Sequence, residues 1–379
     1  MKIAIFETEH FEVTHTLIRL FDYPGNQLTI FVYEKSYRQL QFLFREEISK
    51  YNWIIKTGNE SKYSFIHQLY KTAKREQYDL LYFNTIADNH ILYAVLVSLL
   101  KKTRIVMTIH DINGFFTYVP SLSIKRLLRY MGKRMLVKNV NEFNVITASM
   151  AVLLKDKLPA GKKVHCLPGG VYDKTTNSTT TLAAKATIQI VVPGTIDYRR
   201  RDYNLLFQLL AIANQQSLPV TITLLGGFDE QYGTGIREQC RQYATQHINL
   251  QFYDTAVVDQ PEFDRVMAAA HLVCIPSMRE AVINDGVTET YGISICSGNI
   301  FDIVRFAKPF IAPVHLATEP ALKNSYLQYT STDDIIAHLG DLLSHPDKYR
   351  QLSNHAVAAS MEYTVYKVRA RNKDLFGLE

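Results

Sequence analysis

Two short stretches of this chain concentrate side chains that could handle an anion. In VVPGTIDYRRRDYNLL, Gly194 closes an apolar run, and Arg199, Arg200 and Arg201 come at the start of a segment of helical period. Three guanidiniums at a helix N-terminus, where free N–H groups and about half a positive charge already favour anions, make a diphosphate site. A solvated basic turn is the structural alternative, although cations there oppose the helix dipole. The second stretch, ETYGISICSGNIFDIVRFAKPFIAP, runs from Glu289 to Pro313. Its Asn299 fits a helix N-cap, with Ser297, Gly298 and Asn299 turning N–H groups toward a bound phosphate. Asp302 then falls in the first helical turn, suited to a diol such as a ribose, and Glu289 could take hydroxyls of a second sugar. The same Asn-x-x-Asp spacing also fits a capping box that serves stability alone. His110, after RIVMTI and before Asp111, could hydrogen-bond a hydroxyl, act as acid or base, or be a satisfied structural histidine.

These residues need elements to hold them. KIAIF, QLTIFVY, WIIKT, DLLYFN, RIVMTIH, NVITAS and KVHCLP read as strands rich in Ile, Val and Phe, separated by segments of helical period such as HTLIRLF and ILYAVLVSLLKK. A second set follows, with TIQIVVPG, VTITLLGG, LQFYD, HLVCIPS and FIAPV as strands and helices to the end of the chain. Alternation of this kind implies parallel sheets covered on both faces. The expected fold class is α/β, two doubly wound Rossmann-like domains facing each other across a cleft. We place the first over 1–173, a threonine-rich linker over 174–186 and the second over 187–379, with the last helix packing back on the first domain. Ligands of such sheets bind beyond the carboxyl ends of the strands. There stand Glu7 to His10, Asn84 and His110 in the first set, and Gly194, Gly226-Gly227 and the Glu289 stretch in the second.

The totals narrow the function. At 379 residues, with 47% apolar and 21% charged side chains, two soluble globular domains are expected. Cys166, Cys240, Cys274 and Cys296 are far apart and form no C-x-x-C, which argues against a disulfide framework or a zinc site. The opening MKIAIFETEHFE is too short and polar for a signal peptide, and ILYAVLVSLL has half of the roughly 20 residues that span a bilayer. A cytoplasmic protein is expected. GTGIRE, Gly233 to Glu238, lacks the third glycine of a dinucleotide fingerprint, and D-x-D, H-E-x-x-H and G-x-S-x-G are all missing. Between Asp111 and Glu142 there is no acid, while Lys125, Arg126, Arg129, Lys133, Arg134 and Lys138 share a segment with Ile124, Leu127, Leu128, Met131 and Met135. Residues 115–138 fit either a peripheral contact with an anionic membrane or a core helix with a solvated basic face. Nucleic acid is not indicated, since no zinc finger, RNP-like run or dense basic arm accompanies the segment.

In order, TIHD, VITAS, HCLPGGVYD, VVPGTIDYRRRDY, ITLLGG, AAAHLVCIPS, ETYG and FDIVRFAKPFIAP resemble the retaining GT-B glycosyltransferases of the family 4 type. The resemblance covers about Leu80 to Val314. It implies a GT-B fold, a nucleotide diphosphate sugar donor, UDP- or GDP-linked, held mainly by the second domain, and no metal or other cofactor. It implies that Gly194, Arg199 and Arg201 hold the diphosphate, that Glu289 binds donor-sugar hydroxyls with Tyr291-Gly292 beside it, and that His110 faces the sugar. The family's second glutamate falls on Ser297 here, whereas counting back from Lys308-Pro309 puts Asp302 in its place. The loop ETEHFE lacks the usual glycines, which leaves the roles of Thr8 and His10 on the acceptor side open. The activity implied is sugar transfer with retention to a hydroxyl acceptor in polysaccharide or glycoconjugate assembly, lipid-linked if the basic segment meets the inner face of the membrane. A non-catalytic sugar- or nucleotide-binding scaffold partnering an active transferase is the alternative. An epimerase or phosphorylase is disfavoured, with no lysine placed for a pyridoxal cofactor.

Overall fold

The computed structural model describes residues 1–174, 180–183, 186–246, 249–284 and 286–378. Most of the linker expected over 174–186, namely 175–179 and 184–185, lies outside the described residues. The chain divides into two compact units. One comprises Met1–Gly169, Asn284–Glu289 and Val365–Glu379, and the other Gly170–Ile283 and Thr290–Thr364.

The first unit holds seven strands: β1 (Lys2–Glu7), β2 (Gln27–Tyr33), β3 (Asn52–Lys56), β4 (Leu80–Phe83), β5 (Arg104–Thr108), β6 (Glu142–Val145) and β7 (Lys163–Cys166). They pair in the order β3-β2-β1-β4-β5-β6-β7, parallel throughout. The continuous apolar runs of β1 and β4 are buried on both faces, as a parallel sheet under helices requires. Phe6 packs edge-on against Phe83 and near Phe65 and Tyr93. The C-terminal segment is tied down by Arg104, which grips Glu142 with two bonds of 2.6 Å and donates to the carbonyls of Asp374 and Leu375. Burial opposes the charge of Glu142, but His165 and Arg104 outweigh it and hold its carboxyl at about 2.

The second unit is built on β8 (Ile188–Pro193), β9 (Val220–Leu225), β10 (Leu250–Phe252) and β11 (Leu272–Cys274), followed by β14 (Phe310–Pro313) and β15 (Tyr326–Tyr329). Between β11 and β14 the chain forms a two-stranded ribbon, β12 (Glu280–Asn284) and β13 (Val287–Thr290), of which Asn284–Glu289 falls in the first unit, so the strands of the second unit's sheet are numbered around the ribbon. The six-stranded sheet runs β10-β9-β8-β11-β14-β15, again parallel. Ile190, Ile222, Leu224, Leu272 and Ile311 share its core with Leu206, Leu209 and Leu339 from the helices. Two features depart from the sequence reading. The ribbon was not anticipated, and β15 is a strand where only helices were expected. YLQY is too short for a helix and completes the sheet edge beside β14. Both sheets are doubly wound and Rossmann-like, so the α/β class and the two-sheet architecture are as expected from the alternation. Among the described residues no helix is long and apolar enough to cross a membrane.

One close approach fixes the basic segment. The helix Ile124–Asn139 packs on the helix His90–Leu99 through Gly132, where a Cβ would lie 2.3 Å from the backbone nitrogen of Ile91. Gly132→Ala should therefore force the two backbones apart and cost about 1–3 kcal/mol of stability in denaturant unfolding. Gly340 sits inside the helix Thr332–Ser344 with nothing within 4 Å of its missing Cβ. Gly340→Ala should gain roughly 0.5–1 kcal/mol in the same assay.

Candidate active site

In each sheet the strand order reverses once, between β1 and β4 and between β8 and β11. Connections diverge to opposite faces there, which opens a crevice at the strands' carboxyl ends. In the second unit that crevice is an open pocket lined by Arg200, Arg201, Ile275, Ser277, Tyr291 and the run Ile295 to Asn299. Arg201 lies over the end of β8. Its guanidinium donates to the carbonyls of Pro193 at 2.7 Å, Gly194 at 3.0 Å and Thr195. All three acceptors are neutral, so these bonds fix the guanidinium without cancelling its charge. Gly194 is required beneath it. Its φ is 91°, and a Cβ would come within 2.7 Å of Arg201 Nη2.

The arginine cluster is sorted by one buried acid. Asp197, 2% exposed, accepts Arg199 Nε at 3.0 Å and Nη2 at 2.6 Å, while the Arg199 guanidinium stacks 3.3 Å from the centre of the Tyr232 ring. Burial works against the charge of Asp197, but these bonds hold its carboxyl below the ordinary range. Arg200 reaches Asp197 at 3.4 Å and still lines the pocket. The sequence reading had the three arginines at the start of a helix. Instead they occupy the turn before it, since Asp202 caps the helix Tyr203–Gln215 by accepting the N–H of Leu205 at 3.1 Å. Hydrogen bonds from Asp202 N–H to Pro276 and from Met278 N–H to Arg200 then pin this turn beside the exit of β11.

Asn299 also differs from its expected role. It is the first residue of the helix Asn299–Phe306, Gly298 holds the cap position, and the Asn299 side chain donates to Pro193 at 2.7 Å. Its Oδ1 accepts Ser297 Oγ at 3.1 Å and lies 3.4 Å from Arg201. The side chain has a strand-end carbonyl to satisfy, so it does not cap. No capping box forms with Asp302, which stays in the first helical turn. Tyr291 is buried and lines the pocket, and Gly292 turns the chain after it at φ 80°. The structure thus gathers Arg201, Tyr291, Ser297 and Gly298 around one pocket and turns Arg199 toward Asp197. Arg200, Ser277, Ile275 and Cys296 join them. The sequence signal for Ile275 and Ser277 was their place just after β11.

In the first unit the crevice is organised by Glu7. This fully buried carboxylate accepts the backbone N–H groups of Thr8, Glu9 and His10 at 2.6, 2.5 and 2.9 Å on one oxygen. Its other oxygen takes Asn84 Nδ2 and, at 3.1 Å, Thr85 Oγ1. The glycine-poor loop after β1 therefore folds its amides onto the chain's own carboxylate, as a nest folds onto an anion. His110 is held next to it, with Nε2 at 2.9 Å from the Asn84 carbonyl and 3.2 Å from Thr85 Oγ1, and its ring 4.7 Å from that of His10. A carbonyl only accepts, so Nε2 carries the proton. Thr8 Oγ1 and Asn84 Oδ1 are buried without a protein partner, two acceptors that a hydroxyl could complete. Glu289, 1% exposed, accepts the N–H of Gly114 at 2.5 Å and that of Asn113 at 3.3 Å, just downstream of His110.

Because five donors converge on Glu7, Glu7→Gln replaces an acceptor oxygen with an NH₂ facing donors. It should lower the unfolding free energy by about 3 kcal/mol and shift the His110 ring resonances. Unchanged stability and spectra would show that the nest does not hold His110.

Residues 12–174 match the profile described as Glycosyltransferase Family 4. No curated protein matches the chain. Among solved structures, Anabaena HepE in complex with UDP-glucose is 15% identical, with a TM-score of 0.69 and 100% of both chains covered. Sucrose-phosphate synthase from Thermosynechococcus elongatus is 13% identical, with a TM-score of 0.66, covering 100% of this chain and 98% of that one. The UDP-GlcNAc 2-epimerase from Neisseria meningitidis bound to UDP-GlcNAc is 12% identical, with a TM-score of 0.58, covering 98% and 100%. At these identities the likeness is one of fold. The Family 4 profile thus matches less than half of the chain, and the two Rossmann-like sheets are those of the GT-B fold.

Proposed function

We propose that the protein moves a sugar from a nucleotide diphosphate sugar to a hydroxyl acceptor, with retention at the anomeric carbon and without a metal. The observation that carries this reading is the Arg201 guanidinium, fixed over neutral carbonyls at the β8/β11 crevice. Beside it begins the helix Asn299–Phe306, whose dipole puts about half a positive charge at that end. A diphosphate bound here meets Arg201, Arg200 and the positive end of that helix together. As the bond from the sugar to the diphosphate breaks, charge builds on the departing oxygen, and donors already fixed in place stabilise it without reorganising. Asp302, in the first turn of that helix, is the proposed partner of the ribose. His110 and Glu289 are proposed to act on the sugar, with Asn84 and Thr8 offering acceptors to the incoming hydroxyl. The Family 4 domain and the UDP-glucose held by Anabaena HepE support a nucleotide-sugar donor. Action at the inner face of a membrane, on a lipid-linked acceptor, is proposed from the basic helix Ile124–Asn139.

A binding scaffold is the second reading. It is favoured by Glu289, whose carboxylate already takes two backbone amides, and by Arg199, which Asp197 holds. Turnover with a panel of UDP- and GDP-sugars separates the two, because a scaffold binds donor and releases no nucleotide diphosphate. In calorimetric titration with UDP, Arg201→Ala should raise Kd about 10-fold, the value of one charge-assisted bond, since the Nη hydrogens already meet Pro193, Gly194, Thr195 and Asn299. Arg199→Ala should chiefly lower the melting temperature. Equal UDP affinity in wild type and Arg201→Ala would remove the diphosphate assignment.

A further inference from the structure

The first unit has a second opening, apart from the crevice at His110. A groove with about 540 Å³ of room lies where the first turns of the helices Lys62–Glu76 and His90–Leu99 meet the start of the helix Ile124–Asn139. That is the size of a small-molecule site. One wall is apolar and open to solvent, with Tyr63 65% exposed, Ile124 74% and Leu128 44%.

The other wall is polar and only partly satisfied. Asp88 accepts Lys62 Nζ on one oxygen and, at 2.8 Å, Asn89 Nδ2 on the other. A carboxylate only accepts, so Nδ2 must face it, and Asn89 Oδ1 points away. Among the described residues no donor reaches that oxygen. Lys62 keeps two further ammonium hydrogens. Ser61 Oγ accepts the N–H of Ser64 at 3.0 Å and still has its own hydrogen to give. A pyranose ring has the same two sides as this groove. Its hydroxyl rim both donates and accepts, and its C–H face is apolar and weakly positive toward the negative face of an aromatic ring.

A short loop links the groove to His110. Asn84, whose carbonyl accepts His110 Nε2, stands five residues before Asn89, so at most about 18 Å of chain separates the two places. Glu9 lies within electrostatic reach of both. Burial and then Glu7 raise its carboxyl, His110 lowers it, and Asp88 and Lys62 act on it from the groove with opposite sign.

We propose that this groove is a subsite for a sugar residue of the acceptor, set behind the reacting hydroxyl, so that the protein works on an acceptor that already carries a sugar chain. The proposal deepens the transfer reading above and rests on it for the place of the acceptor hydroxyl in the His110 crevice. Tyr63 stacks on the sugar and Asn89 Oδ1 accepts one of its hydroxyls. Neither takes part in bond breaking, so the subsite selects the acceptor.

The test is an array of immobilised glycans, from single sugars to hexasaccharides with neutral, N-acetylated and acidic residues, probed with the whole protein in the absence of donor. Wild type should retain chains of two or more sugars and no monosaccharide. For a retained chain taken into solution, Tyr63→Ala should raise Kd about tenfold. Tyr63→Phe should leave it unchanged, because the ring and not the phenol is used. Asn89→Gly keeps the left-handed turn, at φ 52°, and should raise Kd about fivefold, the value of one hydrogen bond. These side chains are exposed or half-exposed, so melting temperature and UDP affinity should match wild type. Without donor on the array the two readings fail separately. Glycan binding with no nucleotide diphosphate released from any UDP- or GDP-sugar removes the transfer reading and leaves the groove as a sugar site. No glycan retained, a single sugar held as tightly as its chain, or equal affinity in wild type and Tyr63→Ala would overturn the proposal.

Discussion

Strand order that turns back on itself constrains everything else in this protein. At β1/β4 and again at β8/β11 the connecting segments leave in opposite directions, so the carboxyl ends of the central strands are not roofed over. Polar backbone at those ends still has to be satisfied. Each unit does this with a charged side chain. Arg201 covers the carbonyls at the end of β8, and Glu7 gathers the amides that follow β1. The two solutions have opposite sign, and that sets what each crevice can hold. An anion is welcome beside Arg201, whereas the amides that could have held one in the first unit are committed to Glu7.

The same economy explains the arginine run. Three adjacent guanidiniums cannot all face one small pocket, because they repel one another and each demands hydrogen-bond acceptors. Asp197, buried two to four residues before them, takes Arg199 fully and Arg200 at longer range. The Tyr232 face completes the Arg199 site. What remains is one fully committed positioning arginine, one shared, and one aimed at the crevice.

Much of this was legible in the residues. The alternation of β-rich and helical segments marks twelve of the sheet strands, and the strand-end rule singles out Glu7, Asn84, His110, Gly194 and the Ser297-Gly298 turn. The ribbon of β12 and β13 was missed because EAVIN and VTET are short, partly polar and pair only with each other. Asn299 was read as a cap because a cap is a local pattern. Its actual partner, the Pro193 carbonyl, lies 106 residues away in sequence. The basic segment left two readings standing, since hydrophobic periodicity is the same for a helix that faces a core and one that faces a lipid surface.

Sequence alone, then, determined two doubly wound sheets, the places on them where chemistry could occur and the concentration of positive charge near residue 130. These follow from periodicity and from turn-forming residues, which act over a few neighbours. Tertiary structure alone decided which arginines line the pocket, that Glu7 holds the loop before His110, and that Leu122, Ile124, Leu127, Leu128 and Met131 are exposed. Those outcomes depend on which distant backbone groups and side chains meet in space, and no local spacing encodes that.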